Sequence, residues 1–94
     1  MNSPSPSKEH IATFHTHFGA LTFHKKLKAL GDNAVMMPVP RKLSASCGTC
    51  VKFSLPFDHA WADEDLEAVY LHEEGDYRLL FENEETLEIP PDVL

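Results

Sequence analysis

The two cysteines of the chain, Cys47 and Cys50, lie three positions apart in the segment 44–50, whose sequence is Ser-Ala-Ser-Cys-Gly-Thr-Cys. In a cytosolic protein, a cysteine pair at this spacing takes part in metal binding, redox chemistry or thiol chemistry more often than in a structural disulfide. The pair could also pack beneath a loop as small apolar side chains. The surrounding sequence separates these interpretations in part.

A metal site would need more ligands than the two thiols provide. Structural zinc is held by four ligands, and the sequence contains no second cysteine pair. His15 and His17 could supply two nitrogens at the end of the first strand and complete a set with Cys47 and Cys50. Because that completion depends on the fold, we keep the four-residue set as an alternative and predict no metal.

Two known uses of a C-x-x-C motif fit the position of this one poorly. Thioredoxin-like oxidoreductases place the motif at the start of a helix, where backbone amides activate the first thiol, whereas Cys50 leads into a strand pattern. Copper chaperones place it between the first strand and the first helix. Here that stretch, residues 14–19, is Phe-His-Thr-His-Phe-Gly and contains no cysteine. We therefore favour a nucleophilic thiol.

The loop around Cys47 contains groups that could activate its thiol. Arg41 and Lys42 precede it and would stabilise a thiolate. Ser46 adds a hydroxyl group, and Gly48 lets the backbone approach an atom bound to the sulfur closely. We predict that Cys47 is the reactive cysteine, with Arg41, Ser46 and Gly48 as its binding residues.

Size and composition limit what kind of protein surrounds this loop. A chain of 94 residues that is 43% apolar and 24% charged is typical of one small folded domain. The longest apolar run, 34–37, is far shorter than a membrane span. The first eight residues lack the apolar core of a secretory signal. We expect a cytoplasmic protein that does not enter a membrane.

The charges are divided unevenly along the chain. Residues 1–54 contain seven basic and two acidic side chains, for a net charge of +5, whereas residues 55–94 contain one basic and thirteen acidic ones, for −12. Nucleic-acid binding generally requires a net basic domain, and these carboxylates would repel phosphate. We predict no nucleic-acid partner and interpret residues 82–94 as a solvated acidic tail.

Hydrophobic periodicity predicts the elements that position the loop. Ala20, Phe23, Leu27 and Leu30 recur at helical spacing, and Gly31 supplies the left-handed conformation that ends helices. Runs rich in β-branched, aromatic or alternating apolar residues predict four strands, at 10–15, 34–37, 50–55 and 77–81.

A second helix is predicted after Asp58 and up to Gly75, with Leu66 and Val69 on its apolar stripe. The order β-α-β-β-α-β most simply forms a ferredoxin-like sandwich of the α+β class, a four-stranded antiparallel sheet with two helices on one face. The predicted division of the chain is a disordered leader at 1–8, a single domain at 9–81 and the acidic tail at 82–94.

The central part of the chain resembles a known bacterial family. It has a strand that ends in Phe-His-Thr (14–16), a Pro-Val-Pro-Arg turn (38–41) and a serine-rich loop that ends in Ser-Cys-Gly (46–48). In these features it is similar to the selenium/sulfur (Se/S) carrier protein-like family, whose most specific block runs from Pro-x-Pro-Arg to Ser-Cys-Gly. The resemblance covers about residues 10–80. The leader, the acidic tail and the second cysteine depart from the family pattern.

The resemblance implies a carrier rather than an enzyme with turnover of its own. Cys47 would accept sulfur or selenium as a persulfide or perselenide from a donor such as a cysteine desulfurase, and would deliver it to an acceptor protein. Arg41 would hold the anionic cargo, N–H groups near Gly48 would contact it, and Cys50 would attack Cys47 to release sulfide. No cofactor is expected. The alternative is a noncatalytic module that binds metal through both cysteines with histidine, or that binds another protein.

Overall fold

A computed structural model describes residues 9–83, which form one antiparallel sheet with one α-helix. The predicted leader 1–8 and residues 84–94 of the predicted tail lie outside this range. The elements, in chain order, are β1 Glu9–Phe14, α1 His17–Ala29, β2 Val35–Pro38, β3 Thr49–Phe53, a 3₁₀ turn at His59–Trp61, β4 Leu66–Glu73 and β5 Asp76–Glu82. The α+β class is therefore confirmed.

The sheet has five strands in the order β2-β3-β1-β4-β5, and each neighbouring pair is antiparallel. Because β1 and β2 are both antiparallel to β3, they run in the same direction, and α1 connects them across β3. This is the split β-α-β unit that the sequence predicts. Of the described helices, none is long and apolar enough to cross a membrane.

The first helix ends before Gly31, as its sequence predicts. Thr16 is the N-cap, and its hydroxyl oxygen accepts a hydrogen bond from the Gly19 N–H at 3.0 Å. Gly31, with φ of 92°, adopts the left-handed conformation directly after the helix. The buried face of α1 includes Phe23 and Leu27, which pack on one face of the sheet.

The core between α1 and the sheet is built around aromatic side chains. Phe23 lies with its ring centroid 5.2 Å from that of Phe14 on β1 and 5.5 Å from that of Phe53 on β3. Trp61, from the 3₁₀ turn, contacts both Phe23 and Phe53. Offset and edge-on contacts of this kind add to the stabilisation from apolar burial.

The predicted second helix is wrong, because its sequence forms the 3₁₀ turn and β4. The Asp63 carboxylate accepts hydrogen bonds from the N–H groups of Asp65 and Leu66, and this turn leads into the strand. At the other end Glu74 and Gly75, with φ of 51° and 82°, form a tight hairpin to β5. Gly75 therefore ends a strand and not a helix, and the predicted four strands become five.

A β-bulge explains why β4 has a helical pattern in the sequence. Thr13 pairs with Ala68 and Phe14 with Leu66, so Glu67 is the extra residue of the bulge. The bulge places Leu66 and Val69, three positions apart, together in the core beneath α1. These two residues do share one apolar face, as predicted, but a bulged strand and not a helix brings them together.

Candidate functional site

The segment that connects β2 to β3, residues 39–48, carries Cys47 and is called here the Cys47 loop. Its ends are joined by a hydrogen bond from the Val39 N–H to the Gly48 carbonyl, at 3.0 Å. Farther out, the Lys42 ammonium donates to the carbonyl of Gly75 at 2.8 Å, in the β4–β5 turn. The loop is thus held at its base and at a distant turn of the sheet.

Cys47 itself lies at the end of β1. It is half-buried, and its N–H donates to the Phe14 carbonyl at 3.2 Å. The preceding residue, Ser46, is bound to Glu67 of β4 through two hydrogen bonds. Its N–H donates to one carboxylate oxygen and its hydroxyl to the other, each at 3.0 Å. Two consecutive residues of the loop are therefore tied to two different strands.

The two predicted histidines lie next to this segment but contact different residues. His15 Nδ1 is 3.9 Å from a Glu67 carboxylate oxygen. His17 Nδ1 is 3.4 Å from the hydroxyl of Thr49, which follows Cys47 in the sequence. Glu67, in contrast, binds Ser46, which precedes Cys47. Within residues 9–83, no three His, Cys, Asp or Glu side chains form a group that could hold a metal ion.

Cys50 has a different environment from Cys47. It lies inside β3, fully buried between Met37 of β2 and Thr13 of β1, and its thiol donates to the Pro38 carbonyl at 3.7 Å. Burial raises the pKa of this thiol to about 11. At neutral pH Cys50 is therefore a protonated thiol that is not in contact with solvent, so an attack on Cys47 would require a local opening of the strand.

The predicted binding residues are exposed, and each has a distinct environment. Arg41 and Lys42 are both on the surface. The Lys42 ammonium lies 3.9 Å from the Asp76 carboxylate and also donates to the Gly75 carbonyl. The charge of Lys42 is therefore engaged with the β4–β5 turn. Gly48 is exposed, and no atom outside residues 47–49 lies within 4 Å of the position that a Cβ would occupy. The backbone beside the sulfur is thus open to an approaching group.

The chain matches the family described as "Putative Se/S carrier protein-like" over residues 9–68. It belongs to this family, which confirms the family resemblance. The matched residues of the Se/S carrier-like chain run from β1 to the start of β4. They include Cys47, Phe14, which binds the Cys47 N–H, and Glu67, which binds Ser46. No curated protein and no solved structure matches the chain significantly.

A cavity lies beside the Cys47 loop of this Se/S carrier-like protein. Its volume is about 330 Å³, and it is lined by His15, Ser44, Glu67, Ala68, Tyr70, Glu82 and Asn83. Burial, together with the carboxylates of Glu82 and Glu67, raises the pKa of Tyr70. Ala68 and Tyr70 alternate with Val69, whose side chain is in the core beneath α1. The cavity is therefore on the opposite face of the sheet from the helix.

Sequence reasoning did not find Glu67. Its partner Ser46 is 21 residues away, and contact between them depends on the pairing of β1 with β4. The sequence reading placed Glu67 in a helix, where it would have been one acidic side chain among several. The bulge at the start of β4 distinguishes Glu67 in the structure, because it is defined by the pairing with β1.

Proposed function

We propose that this chain is a carrier of sulfur or selenium in which Cys47 holds the cargo as a persulfide or perselenide. The difference in exposure between the two cysteines carries the proposal. Cys47 lies on a loop with access to solvent, whereas Cys50 is fully buried and protonated at neutral pH. The name of the family supports sulfur or selenium as the cargo.

In the proposed loading step, sulfur passes from one thiol to another, and no external oxidant is needed. The Cys47 thiolate attacks the terminal sulfur of a persulfide on a donor such as a cysteine desulfurase. The donor's sulfur–sulfur bond breaks, its thiolate leaves, and a new sulfur–sulfur bond forms on Cys47. The transferred sulfur keeps its oxidation state, so electrons balance within the exchange. Open space at Gly48 leaves room for the donor's group to approach.

In the proposed release step, a thiol of the acceptor removes the cargo from Cys47. The acceptor's thiolate attacks the terminal sulfur, and Cys47 leaves as a thiolate. The burial of Cys50 favours this route over an attack by Cys50, because a thiol with a pKa near 11 is a poor nucleophile at pH 7 and lacks access. Cys47 then acts alone, and the second cysteine has no part in the transfer.

Intact mass spectrometry after incubation with a cysteine desulfurase and cysteine tests the proposal. We expect an adduct of about 32 Da, one sulfur atom, on the wild-type chain and on Cys50→Ser, and no adduct on Cys47→Ser. The bound-metal content of the purified protein is measured in parallel. Equal loading of the two variants, or metal in place of sulfur, would contradict the carrier function and favour the metal-binding alternative.

A further inference from the structure

We propose that Glu67 is a positioning residue that holds the Cys47 loop on the sheet and sets the orientation of Cys47 toward its donor. The inference rests on the proposed carrier function. Glu67 binds no cargo in this role. It acts through Ser46, the residue directly before the reactive cysteine, and it receives both hydrogen-bond donors of that residue.

The geometry of the pair is suited to fixing an orientation. A hydrogen bond to a charged carboxylate is stronger than a bond between neutral groups, and two such bonds from one residue define both position and rotation. The Cys47 N–H, bound to Phe14, supplies the third attachment. With Glu67 removed, the bonds from the Cys47 N–H and to the Gly48 carbonyl would remain, and the peptide before Cys47 would lose its attachment to β4.

The bulge in β4 gives Glu67 its place. Because Glu67 is the extra residue between Leu66 and Ala68, it leaves the regular pairing with β1. Its backbone carbonyl accepts a hydrogen bond from the Asn83 N–H at 3.0 Å, beyond the end of β5. Bulges of this kind redirect a side chain and occur next to functional sites. The sheet therefore departs from a regular ladder at the residue that binds Ser46.

Polar side chains from three strand regions lie near the Glu67 carboxylate. His15, at the end of β1, lies 3.9 Å away, and Tyr70 of β4 and Glu82 of β5 line the same cavity. Glu82 provides a matched control, since its substitution removes the same charge from the same cavity without touching Ser46. Three variants follow: Glu67→Ala, Glu67→Gln and Glu82→Ala.

The first measurement is amide hydrogen exchange at Ser46 and Cys47 in the full chain. We expect Glu67→Ala to speed exchange at Ser46 by about tenfold or more, because a bond to a charged group is lost. Glu67→Gln should restore most of the protection, since its amide oxygen can accept from the Ser46 N–H and its amide nitrogen can donate to the hydroxyl. Glu82→Ala should leave the exchange rate unchanged.

The second measurement compares two reactions of Cys47. Alkylation by iodoacetamide, a small reagent, should proceed in Glu67→Ala at least as fast as in the wild type. Sulfur uptake from a persulfide-loaded cysteine desulfurase should slow by about tenfold or more, because a large donor requires an oriented thiol. A purely structural defect would change the two reactions in parallel. Ser46→Ala combined with Glu67→Ala should slow uptake no further than Glu67→Ala alone.

The outcomes separate this inference from the carrier proposal. If the wild type takes up sulfur and Glu67→Ala takes it up at the rate of Glu82→Ala, Glu67 has no positioning role. Equal Ser46 exchange rates in those two variants would overturn the inference even if no chain took up sulfur. Absence of uptake by the wild type, with fast Ser46 exchange in Glu67→Ala, would overturn only the carrier function.

Should Glu67→Ala fail to fold, Glu67→Asp, whose shorter side chain cannot span both donors, replaces it.

Discussion

Cys47 and Cys50 are three residues apart, yet the two ends of their motif have opposite chemical environments. Cys47 ends a loop that is fixed by hydrogen bonds to β1 and, through Ser46, to β4. Cys50 is the second residue of β3, between two neighbouring strands, and is fully buried. The start of β3 at Thr49 separates them. The difference shows that the position of a cysteine relative to a strand end, and not motif spacing, decides whether it is buried.

The largest expected difference is in alkylation of the native protein at pH 7. Cys47 should react in the folded state, whereas Cys50 should react only through opening of the sheet, at least about a thousandfold more slowly. Alkylation with iodoacetamide, followed by peptide mapping with and without denaturant, measures both rates. The Cys47→Ser variant isolates the Cys50 rate. Similar rates for the two thiols in the native protein would remove the contrast between them.

The second expected effect is a loss of stability at alkaline pH that depends on Cys50. Its pKa rises from 9.0 to about 11 on folding, so the unfolded state releases this proton first. The stabilisation is fully present below pH 9 and is lost as pH rises toward 11, by about 2 kcal/mol. Urea unfolding of the wild type and of Cys50→Ala across this range measures the loss.

The matched variant for this comparison is Cys47→Ala, which keeps Cys50. Its stability should fall with pH as the wild type does, whereas the curve of Cys50→Ala should be flatter between pH 9 and 11. Contributions from lysine and tyrosine side chains are common to all three chains and cancel in the differences. If the Cys50→Ala curve is as steep as the wild-type curve, Cys50 is not the buried acid responsible.

The third comparison is between two glycines, Gly19 in the first turn of α1 and Gly48 in the Cys47 loop. A Cβ at Gly19 would lie 2.7 Å from the Asp65 Cβ, and the Asp65 carboxylate accepts a hydrogen bond from Thr16. Gly19→Ala should therefore lower the free energy of unfolding by about 1 to 3 kcal/mol. Gly48→Ala, which meets no atom outside residues 47–49 within 4 Å, should change it by no more than about 0.5 kcal/mol. Chemical denaturation compares them, and equal losses would contradict the steric argument.

Local signals predicted one half of the fold well. The spacing of Phe23 and Leu27 and the left-handed Gly31 both act within a few residues, so the sequence identifies α1 directly. The alternation in β3 is equally local. The partial exposure of Cys47 follows from its place in the loop before that strand.

Long-range pairing determined the half that the sequence did not predict. The bulge at Glu67 interrupts the two-residue period of β4 and brings Leu66 and Val69 to one face, which imitates a helix. The contact of Glu67 with Ser46 exists only because β4 lies beside β1. A signal of that kind is absent from any short window of sequence, since the bulge is defined by the partner strand.

The arrangement of β1 has a consequence for the order in which the molecule is assembled. The end of β1 is made first, the loop with Cys47 next, and β4 last, yet the hydrogen bond between Thr13 and Ala68 joins residues 55 positions apart. Closing so long a chain segment is slow and entropically costly. During synthesis Cys47 therefore exists for some time before β4, whose Glu67 binds the neighbouring Ser46. The hydrogen bonds between Ser46 and Glu67 can therefore form only after β4 has paired with β1.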